Sequence, residues 1–308
     1  MRAFGSLRHA SRAVLALLAL LPHLADAEKV AITFDDLPVN GSLPAGVTEA
    51  DIVRRVLPIF AERGLPPMVG FINARKLEGN PAGAEALQLW MAGGQRVGNH
   101  TYGHIDLTTN SPEAFQREID QNEPALLLLA ADTQWRWFRY PYLHEGDTTE
   151  KRRAVRDYLQ RRNYTIAQTT LDYEDYLWNS AYARCVDKKD DKAVAWLRSS
   201  YIETASAYLD ANREMARIVF GREISHVLLL HLGAFSPEIL PSLFDLLRAK
   251  GFEPATLEEA QSDAAYRSDP DYVSTNTGTL LEQHMDAKKL QYPRIPPKAR
   301  KELAAICM

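Results

Sequence analysis

Two adjacent carboxylates, Asp35 and Asp36, are the first residues of the chain whose types could do chemistry. They follow the apolar run Val30 to Phe34, which predicts a buried strand. Neighbouring residues at the end of a strand point in different directions, so one carboxylate can bind a metal ion while the other accepts a proton. An Asp-Asp pair at a turn is also common for solvation and capping. The pair alone leaves both interpretations open.

Two histidines, His100 and His104, form a second cluster directly after a predicted strand at residues 96–99. A spacing of four lets two imidazoles reach one ion if the segment makes a helical turn. A nearby carboxylate would then complete a three-ligand site that keeps open positions for water. Without such a carboxylate, two histidines at this spacing are as often surface residues with no ligand as they are metal ligands.

Three further clusters stand at the ends of predicted strands. Arg139 begins the sequence Arg-Tyr-Pro-Tyr, and an arginine there can hold a carboxylate with two hydrogen bonds, although a structural salt bridge is the alternative. The segment 172–176 is rich in acidic and aromatic residues, and His231 ends an apolar strand. Functional residues of β/α barrels collect at the carboxyl ends of the strands. Five clusters at such ends therefore indicate one common site.

The elements that must position these clusters follow a β-α rhythm from Glu28 onward. Short apolar runs alternate with amphipathic stretches, which is typical of a mostly parallel α/β sheet or barrel. Thr48 and Asp51 outline a capping box at the start of the first helix. The predicted strands are 30–34, 68–73, 96–99, 137–139, 165–170, 227–231 and 252–255. The predicted helices between them are 48–64, 82–93, one opened by residues 111–112, 148–162 and 237–249. Seven strands favour a β/α barrel in one domain.

Two segments depart from this rhythm. Residues 177–224 replace a short crossover with a loop and one long polar helix, at about 190–219, so we interpret them as an insertion. After Ala260 the pattern dissolves, and we expect a C-terminal tail, 263–308, packed on the domain.

The chain has two cysteines, Cys185 and Cys307. In an oxidising compartment an even pair favours a disulfide, although two unpaired thiols are the alternative.

The first 27 residues have the layout of a secretory signal peptide. Arginines at positions 2, 8 and 12 precede the apolar run 13–21, and the segment ends Ala25-Asp26-Ala27. An uncleaved anchor is the alternative interpretation. No later apolar stretch approaches the roughly 20 residues that a transmembrane helix needs. We therefore expect an exported protein, periplasmic or secreted, without a transmembrane segment after cleavage.

Composition and charge narrow the classes of function. The 308 residues are 46% hydrophobic and 25% charged, which excludes disordered and fibrous proteins and suits one large or two modest domains. The formal charge of -4 is too small, and of the wrong sign, for electrostatic binding of nucleic acid. We expect no nucleic-acid partner, and the oligomeric state stays open.

Taken in order, the five clusters resemble the motifs of the polysaccharide deacetylases of the NodB-homology type, carbohydrate esterase family 4. That family carries Thr-Phe-Asp-Asp, His-Ser/Thr-x-x-His, Arg-x-Pro-Tyr, Asp-x-x-Asp-Trp and Leu-x-x-His. The corresponding segments here are Thr33 to Asp36, His100 to His104, Arg139 to Tyr142, Asp172 to Tyr176 and Leu228 to His231. The resemblance covers about residues 30–260. It implies an irregular (β/α)7 barrel as the catalytic domain, residues 28–262, here with the inserted long helix and the tail.

The resemblance also implies the metal site and the two proton carriers. Asp36, His100 and His104 correspond to the metal triad, Asp35 to the general base and His231 to the general acid. Two imidazoles and a carboxylate suit zinc, while cobalt, nickel, manganese or iron fit the same ligands.

Four further residues take supporting roles by the same resemblance. Arg139 would orient Asp35, and the backbone N–H of Tyr142 would help to hold an oxyanion. Asp175 would pair with His231 and raise its pKa. Tyr176 stands where the family has Trp, beside the acetyl methyl group, so this wall of the site is expected to have a different shape.

The function implied is a metal-dependent hydrolase that removes N-acetyl groups from amino-sugar polymers or oligomers, such as peptidoglycan or chitin-like chains. Metal-assisted activation of water and a proton for the departing nitrogen meet the needs of amide hydrolysis. Tyr176 and the insertion keep open an amidohydrolase acting on a non-sugar C–N bond. A catalytically silent glycan-binding protein is a third hypothesis, which the presence of every expected catalytic residue disfavours.

Overall fold

The structure is a computed structural model that describes residues 28–130 and 135–308. The predicted signal peptide, residues 1–27, lies outside the described residues. Within the described part of the chain, no helix is both long and apolar enough to cross a membrane.

In the described residues, seven parallel strands form the centre of the fold, as the β-α rhythm predicts. They are β1 (Glu28–Leu37), β2 (Val69–Ile72), β3 (Arg96–Asn99), β4 (Trp137–Phe138), β5 (Thr165–Ile166), β6 (His226–His231) and β7 (Phe252–Ala255). Six of them run in the order β5-β4-β3-β2-β1-β6, and β7 pairs with the first residues of β1. Beyond β5, Leu171 forms a parallel bridge with Leu228 of β6. The sheet therefore curves toward closure, and the prediction of an α/β barrel-like fold is confirmed.

Ten helices of the described residues surround this sheet. They are α1 (Glu49–Glu62), α2 (Pro81–Ala92), α3 (Pro112–Ala130), α4 (Thr149–Arg161), α5 (Tyr176–Asp187), α6 (Asp191–Phe220), α7 (Ser236–Ala249), α8 (Leu257–Gln261), α9 (Leu280–Ala287) and α10 (Arg300–Ala305). Thr48 caps α1 through the predicted capping box with Asp51. Short 3₁₀ turns occur at Ala74–Leu77, Pro141–Leu143 and Ala264–Arg267.

The fifth strand is shorter than the predicted 165–170. Ala167 N–H still donates to Phe138 of β4 at 2.7 Å, but the carbonyl of Ala167 accepts from the Arg139 side chain at 2.6 Å. The chain then turns to β6, where the amide of Thr170 donates to Val227 at 3.0 Å. Because the segment exchanges one neighbouring strand for another, it cannot continue as a regular strand beside β4.

Close packing fixes the end of β1, from which the two aspartates extend. Leu37 lies across Gly70 of β2, and a Cβ at Gly70 would lie 2.1 Å from a methyl carbon of Leu37. Glycine is therefore required there. Beneath the sheet, Phe34 meets Trp90 edge to face with ring centroids 5.6 Å apart, and both rings are fully buried. This packing holds β1 rigidly below the candidate site.

The long helix predicted at about 190–219 is α6, 30 residues long. The segment before it, expected as a loop, contains the helix α5. The apolar side chains of α5, such as Trp178 and Ala181, are buried against the rest of the core.

The C-terminal tail is also more ordered than its irregular pattern suggests, since it contains α9 and α10. Cys185 of α5 and Cys307 after α10 form a disulfide with their Cα atoms 5.1 Å apart. Arg184 donates to the carbonyl of Leu303 at 2.8 Å beside this bond. The end of the chain is therefore attached to α5 covalently and by hydrogen bonds.

Candidate active site

The register of the sheet brings the motif residues to one edge. Asp35 of β1 lies opposite His231 of β6, β2 separates β1 from β3, and Asn99 at the end of β3 pairs with Phe138 of β4. Because every strand is parallel, all of the motif loops leave from the same end of the sheet.

Asp36 has a free, buried carboxylate oxygen. Its Oδ2 accepts a hydrogen bond from Asn40 at 2.7 Å and lies 3.8 Å from the Lys76 ammonium. Its Oδ1 is buried with no hydrogen-bond partner. Burial works to raise the pKa of this carboxyl, but Lys76 and the two histidines outweigh it and hold the pKa well below its usual range. Asp36 is therefore ionised, with one oxygen available to a ligand.

The two histidines direct their Nε2 atoms toward that oxygen. His100 Nε2 lies 3.6 Å and His104 Nε2 lies 3.3 Å from Asp36 Oδ1. The Nδ1 of His100 is 2.8 Å from the carbonyl of Arg139, which fixes the proton on Nδ1 and leaves the Nε2 lone pair free. The segment does not make the helical turn that the spacing requires in a regular helix. Instead, Thr101 and His104 adopt positive φ values of 62° and 57° and fold the loop back.

These three residues fit a divalent metal ion. Their ligand atoms lie within 4.8 Å of one another, and the carboxylate oxygen at the centre has no partner in the protein. Burial lowers the pKa of His100 and His104 to about 4, so both imidazoles are neutral at physiological pH, as metal ligands must be. One carboxylate and two imidazoles form a donor set that suits zinc and other first-row metals.

Asp35 lies beside this group but is held by a different partner. The Arg139 guanidinium donates to both carboxylate oxygens at 3.3 and 3.4 Å and also to Thr33 at 3.1 Å. It stacks on Phe71 with 4.7 Å from its central carbon to the ring centroid. Burial raises the pKa of Asp35 against the opposing charge of Arg139. Asp35 is therefore both more basic than an exposed aspartate and fixed in orientation.

Asp175 and His231 form a second pair, next to Asp35, because His231 is the partner of Asp35 in the neighbouring strand. Asp175 accepts from the backbone N–H of His231 at 2.8 Å with one oxygen, and its other oxygen lies 2.7 Å from His231 Nδ1. Burial works to lower the pKa of His231, but the charge and hydrogen bond of Asp175 outweigh it and raise the pKa to about 9. His231 therefore carries a proton at neutral pH and can donate it from Nε2.

Only two of the seven aromatic residues near the motifs are available to a sugar. Tyr142 and Tyr176 are 56% and 37% exposed. The Tyr142 ring lies 4.5 Å from that of His104, and Tyr176 lies 5.2 Å from His231, measured between centroids. The other five are buried, and they are Trp135, Trp137, Tyr140, Tyr173 and Trp178. The two exposed rings, Tyr142 and Tyr176, therefore line the same cleft.

This cleft has a volume of about 400 Å³. It is lined by Asp35, Asp36, Asn40, His100, His104, Tyr142, Leu143, His144, Asp172, Glu174, Tyr176, Leu229, His231, Asn276, Gly278, Glu282 and Lys298. Sequence reasoning missed Asn40 and Lys76, which hold Asp36, and the four tail residues that begin with Asn276. Asn40 lies only four residues after Asp36, so its position was a usable signal. The tail residues carry no motif that points to the site.

A second histidine-carboxylate pair stands at the rim of the cleft. His144 Nδ1 lies 3.0 Å from Asp106 Oδ2, and the His144 ring lies 5.6 Å from that of Tyr142. His144 thus lines the cleft next to Tyr142, with its ring oriented by Asp106.

The family model described as polysaccharide deacetylase matches residues 25–167. A chitin deacetylase from Arthroderma benhamiae is 25% identical over 147 residues, which cover 48% of this chain and 35% of that protein. The match thus spans about a third of this curated relative. The solved chitin deacetylase from Colletotrichum lindemuthianum superposes with a TM-score of 0.52 at 23% identity, covering 78% of this chain and 90% of that one, and shares the fold. These comparisons confirm the resemblance: the chain has the fold of the polysaccharide deacetylases of carbohydrate esterase family 4, and residues 25–167, which carry the first three motifs, match their family model.

Proposed function

We propose that this protein is a metal-dependent deacetylase that removes N-acetyl groups from amino-sugar polymers or oligomers, such as peptidoglycan or chitin-like chains. The observation that carries this proposal is that three potential metal ligands, a basic carboxylate, Asp35, and a protonated imidazole, His231, line one cleft. Amide hydrolysis requires a base for the attacking water and an acid for the departing nitrogen.

Asp36, His100 and His104 would hold the metal, and we propose zinc. When bound, such an ion polarises the acetyl carbonyl and lowers the pKa of water. The remaining roles belong to the protein. Asp35, held by Arg139, takes the proton of the attacking water on a carboxylate oxygen.

The second half of the reaction uses the loop of Tyr142 and the pair formed by His231 and Asp175. The backbone N–H of Tyr142 helps to stabilise the negative charge on the carbonyl oxygen. His231 donates its Nε2 proton to the departing nitrogen, and Asp175 stabilises the charged imidazole until that transfer occurs. Tyr176 packs beside the acetyl methyl group. Acetate and the free amine are then the products.

We further propose that residues 28–262 form the catalytic domain, with 177–224 as an insertion and 263–308 as a tail. The disulfide between Cys185 and Cys307 supports export to an oxidising compartment, periplasmic or extracellular. Residues 1–27 would serve as the signal peptide that directs this export.

Acetate release by the purified mature chain tests the proposed activity. The substrates are N-acetylglucosamine oligomers and peptidoglycan fragments, each with and without a chelator. We expect release that stops with the chelator, returns when zinc is added back, and is absent in Asp35→Ala. The matched control is Asp157→Ala, which removes an exposed carboxylate of α4. This variant should release acetate at the rate of the original protein.

Failure of a folded, metal-loaded protein to release acetate from any sugar would contradict the proposal. Hydrolysis of small non-sugar amides by the same sample would then identify an amidohydrolase. Glycan binding that Asp35→Ala leaves unchanged, without hydrolysis of either kind, would identify a binding protein.

A further inference from the structure

The C-terminal tail forms one wall of the catalytic cleft. Asn276, Gly278, Glu282 and Lys298 all line it, together with the motif residues. These four residues lie more than a hundred positions beyond the segment that matches the family model. The cleft is therefore completed by a part of the chain outside that segment.

One end of this wall is attached to the loop that carries Tyr142. The Thr277 hydroxyl donates to the carbonyl of Leu143 at 2.6 Å and accepts from the N–H of Glu145 at 3.0 Å. Thr277 is 1% exposed, so both hydrogen bonds are shielded from water. Leu280 also donates to Thr169 at 2.8 Å. The tail is thus fixed immediately beside the third-motif loop.

The other end of this wall is attached to the fourth-motif loop, just before Tyr176 at the start of α5. Lys298 places its ammonium 3.0 Å from a carboxylate oxygen of Glu174, and Arg300 pairs with the same carboxylate. The Lys298 ammonium also lies 4.8 Å from the centroid of the Tyr208 ring of α6, and its side chain is only 12% exposed. The tail therefore bridges the third-motif and fourth-motif loops across one side of the cleft.

The disulfide keeps this bridge in place. Cys307 lies nine residues beyond Lys298 and is bonded to Cys185 of α5, the helix that begins at Tyr176. The bridge is consequently held at Thr277, at Glu174 and by a covalent bond.

Resting on the proposed deacetylase activity, we propose that the tail segment 276–298 is a specificity-determining wall that limits the substrate to short oligosaccharides and chain ends. A polymer that binds by its interior needs a long open groove, and here the tail forms a wall along the cleft from the third-motif loop to the fourth-motif loop. The volume of about 400 Å³ lies at the small end of the roughly 300–1,000 Å³ range of ligand pockets. Asn276 and Glu282 offer amide and carboxylate groups to the hydroxyls of a terminal sugar.

Position-resolved deacetylation tests this wall. N-acetylglucosamine oligomers of two to six units, labelled at one end, are incubated with the full mature protein, and mass spectrometry locates each free amine. We expect amines at a terminal sugar, and a kcat/KM for the dimer that is not exceeded by the hexamer. Free amines throughout the interior of the hexamer would overturn the proposal. Absence of acetate from every length would instead contradict the proposed activity, so the two failures are distinguishable.

A tail variant provides the second arm. The double variant Lys298→Ala/Arg300→Ala removes both cations that pair with Glu174 and should raise the ratio of kcat/KM for soluble chitin polymer to that for the dimer by about tenfold, the effect of relieving one unfavourable contact. Lys301→Ala, the same substitution at an exposed position of α10, should leave this ratio unchanged. The dimer reports whether each variant is folded and active. An unchanged ratio in Lys298→Ala/Arg300→Ala, with dimer activity present, would overturn the role of the bridge.

Discussion

Asp35 and Asp36 are adjacent and chemically identical, yet their surroundings give them opposite properties. Asp36 faces Lys76 and two histidines, and its pKa is lowered, whereas burial raises the pKa of Asp35 despite Arg139. The positive φ of 67° at Asp36 turns its carboxylate away from that of Asp35. A group with a lowered pKa suits a metal ligand, and one with a raised pKa suits a base.

The first prediction separates these two roles. Asp35→Asn should lower kcat by about 10²–10⁴-fold, the usual contribution of a general base, while the protein still binds one metal ion. Asp36→Asn should lose the metal itself. Metal content by mass spectrometry, measured beside kcat, distinguishes the variants. Loss of metal in Asp35→Asn would show that Asp35 is a ligand and contradict the division of roles.

The second prediction concerns the pH dependence of the acid. His231 must be protonated to donate, and its pKa is raised to about 9, so activity should persist through neutral pH and fall as pH rises through about 9. Asp175→Asn removes the charge that raises this pKa. The falling limb of the kcat profile should then move to lower pH by more than about one unit. A limb that stays in place would assign the titration to another group.

At the scale of elements, the loop after β4 depends on one buried carboxylate. Glu145 is 2% exposed and accepts from Arg156 Nε at 2.7 Å and from Gln168 at 2.8 Å, while its N–H donates to Thr277. Arg152, itself 1% exposed, lies 3.5 Å from it. Glu145 therefore joins α4, the segment after β5 and the tail to the loop that carries Tyr142.

The third prediction tests this junction. Glu145→Ala removes the buried carboxylate from Arg152 and Arg156, which both keep Asp269 as a partner, and should lower the free energy of unfolding by about 2 kcal/mol, as expected when hydrogen bonds to a buried charged group are lost. Denaturant unfolding followed by circular dichroism measures the change. Glu150→Ala, an exposed position at the start of α4, is the control and should change stability little. Equal stability of the two variants would show that the junction does not hold the loop.

The same elements show how far the sequence predicts the molecule. Apolar runs predict the positions of the seven strands, because β1, β2, β3, β4 and β6 are mostly buried. The motif residues meet at one end of the sheet because the strands are parallel and each motif follows the carboxyl end of a strand. The predicted length of β5 was wrong, because the segment after Ile166 leaves β4 and pairs with β6. Tertiary contacts determine this change of partner, and the local sequence does not show it. Likewise, Asn276 and Lys298 reach the cleft through ion pairs and hydrogen bonds between distant segments, which leave no periodic pattern.

At the scale of the whole molecule, the tail connects parts of the chain that the barrel alone does not join. It contacts the loop after β4 through Thr277, the loop before α5 through Lys298, and α5 itself through Cys307. The packing of α9 against α6 extends this connection, with Leu281 and Met285 buried beside Met215. The tail is therefore part of the folded core and should unfold together with it.

The fourth prediction follows from this connection. A disulfide that closes a loop of this length stabilises the folded state by roughly 4–5 kcal/mol in the chain-entropy model. Cys307→Ser should therefore lower the free energy of unfolding by up to about that amount. The measurement is urea unfolding of the variant, of the oxidised protein and of the protein treated with a reductant. The variant and the reduced protein should unfold at the same urea concentration, well below the oxidised protein. If all three unfold together, the noncovalent contacts at Thr277, Lys298 and Arg184 are sufficient to fix the tail, and the disulfide adds nothing to its stability.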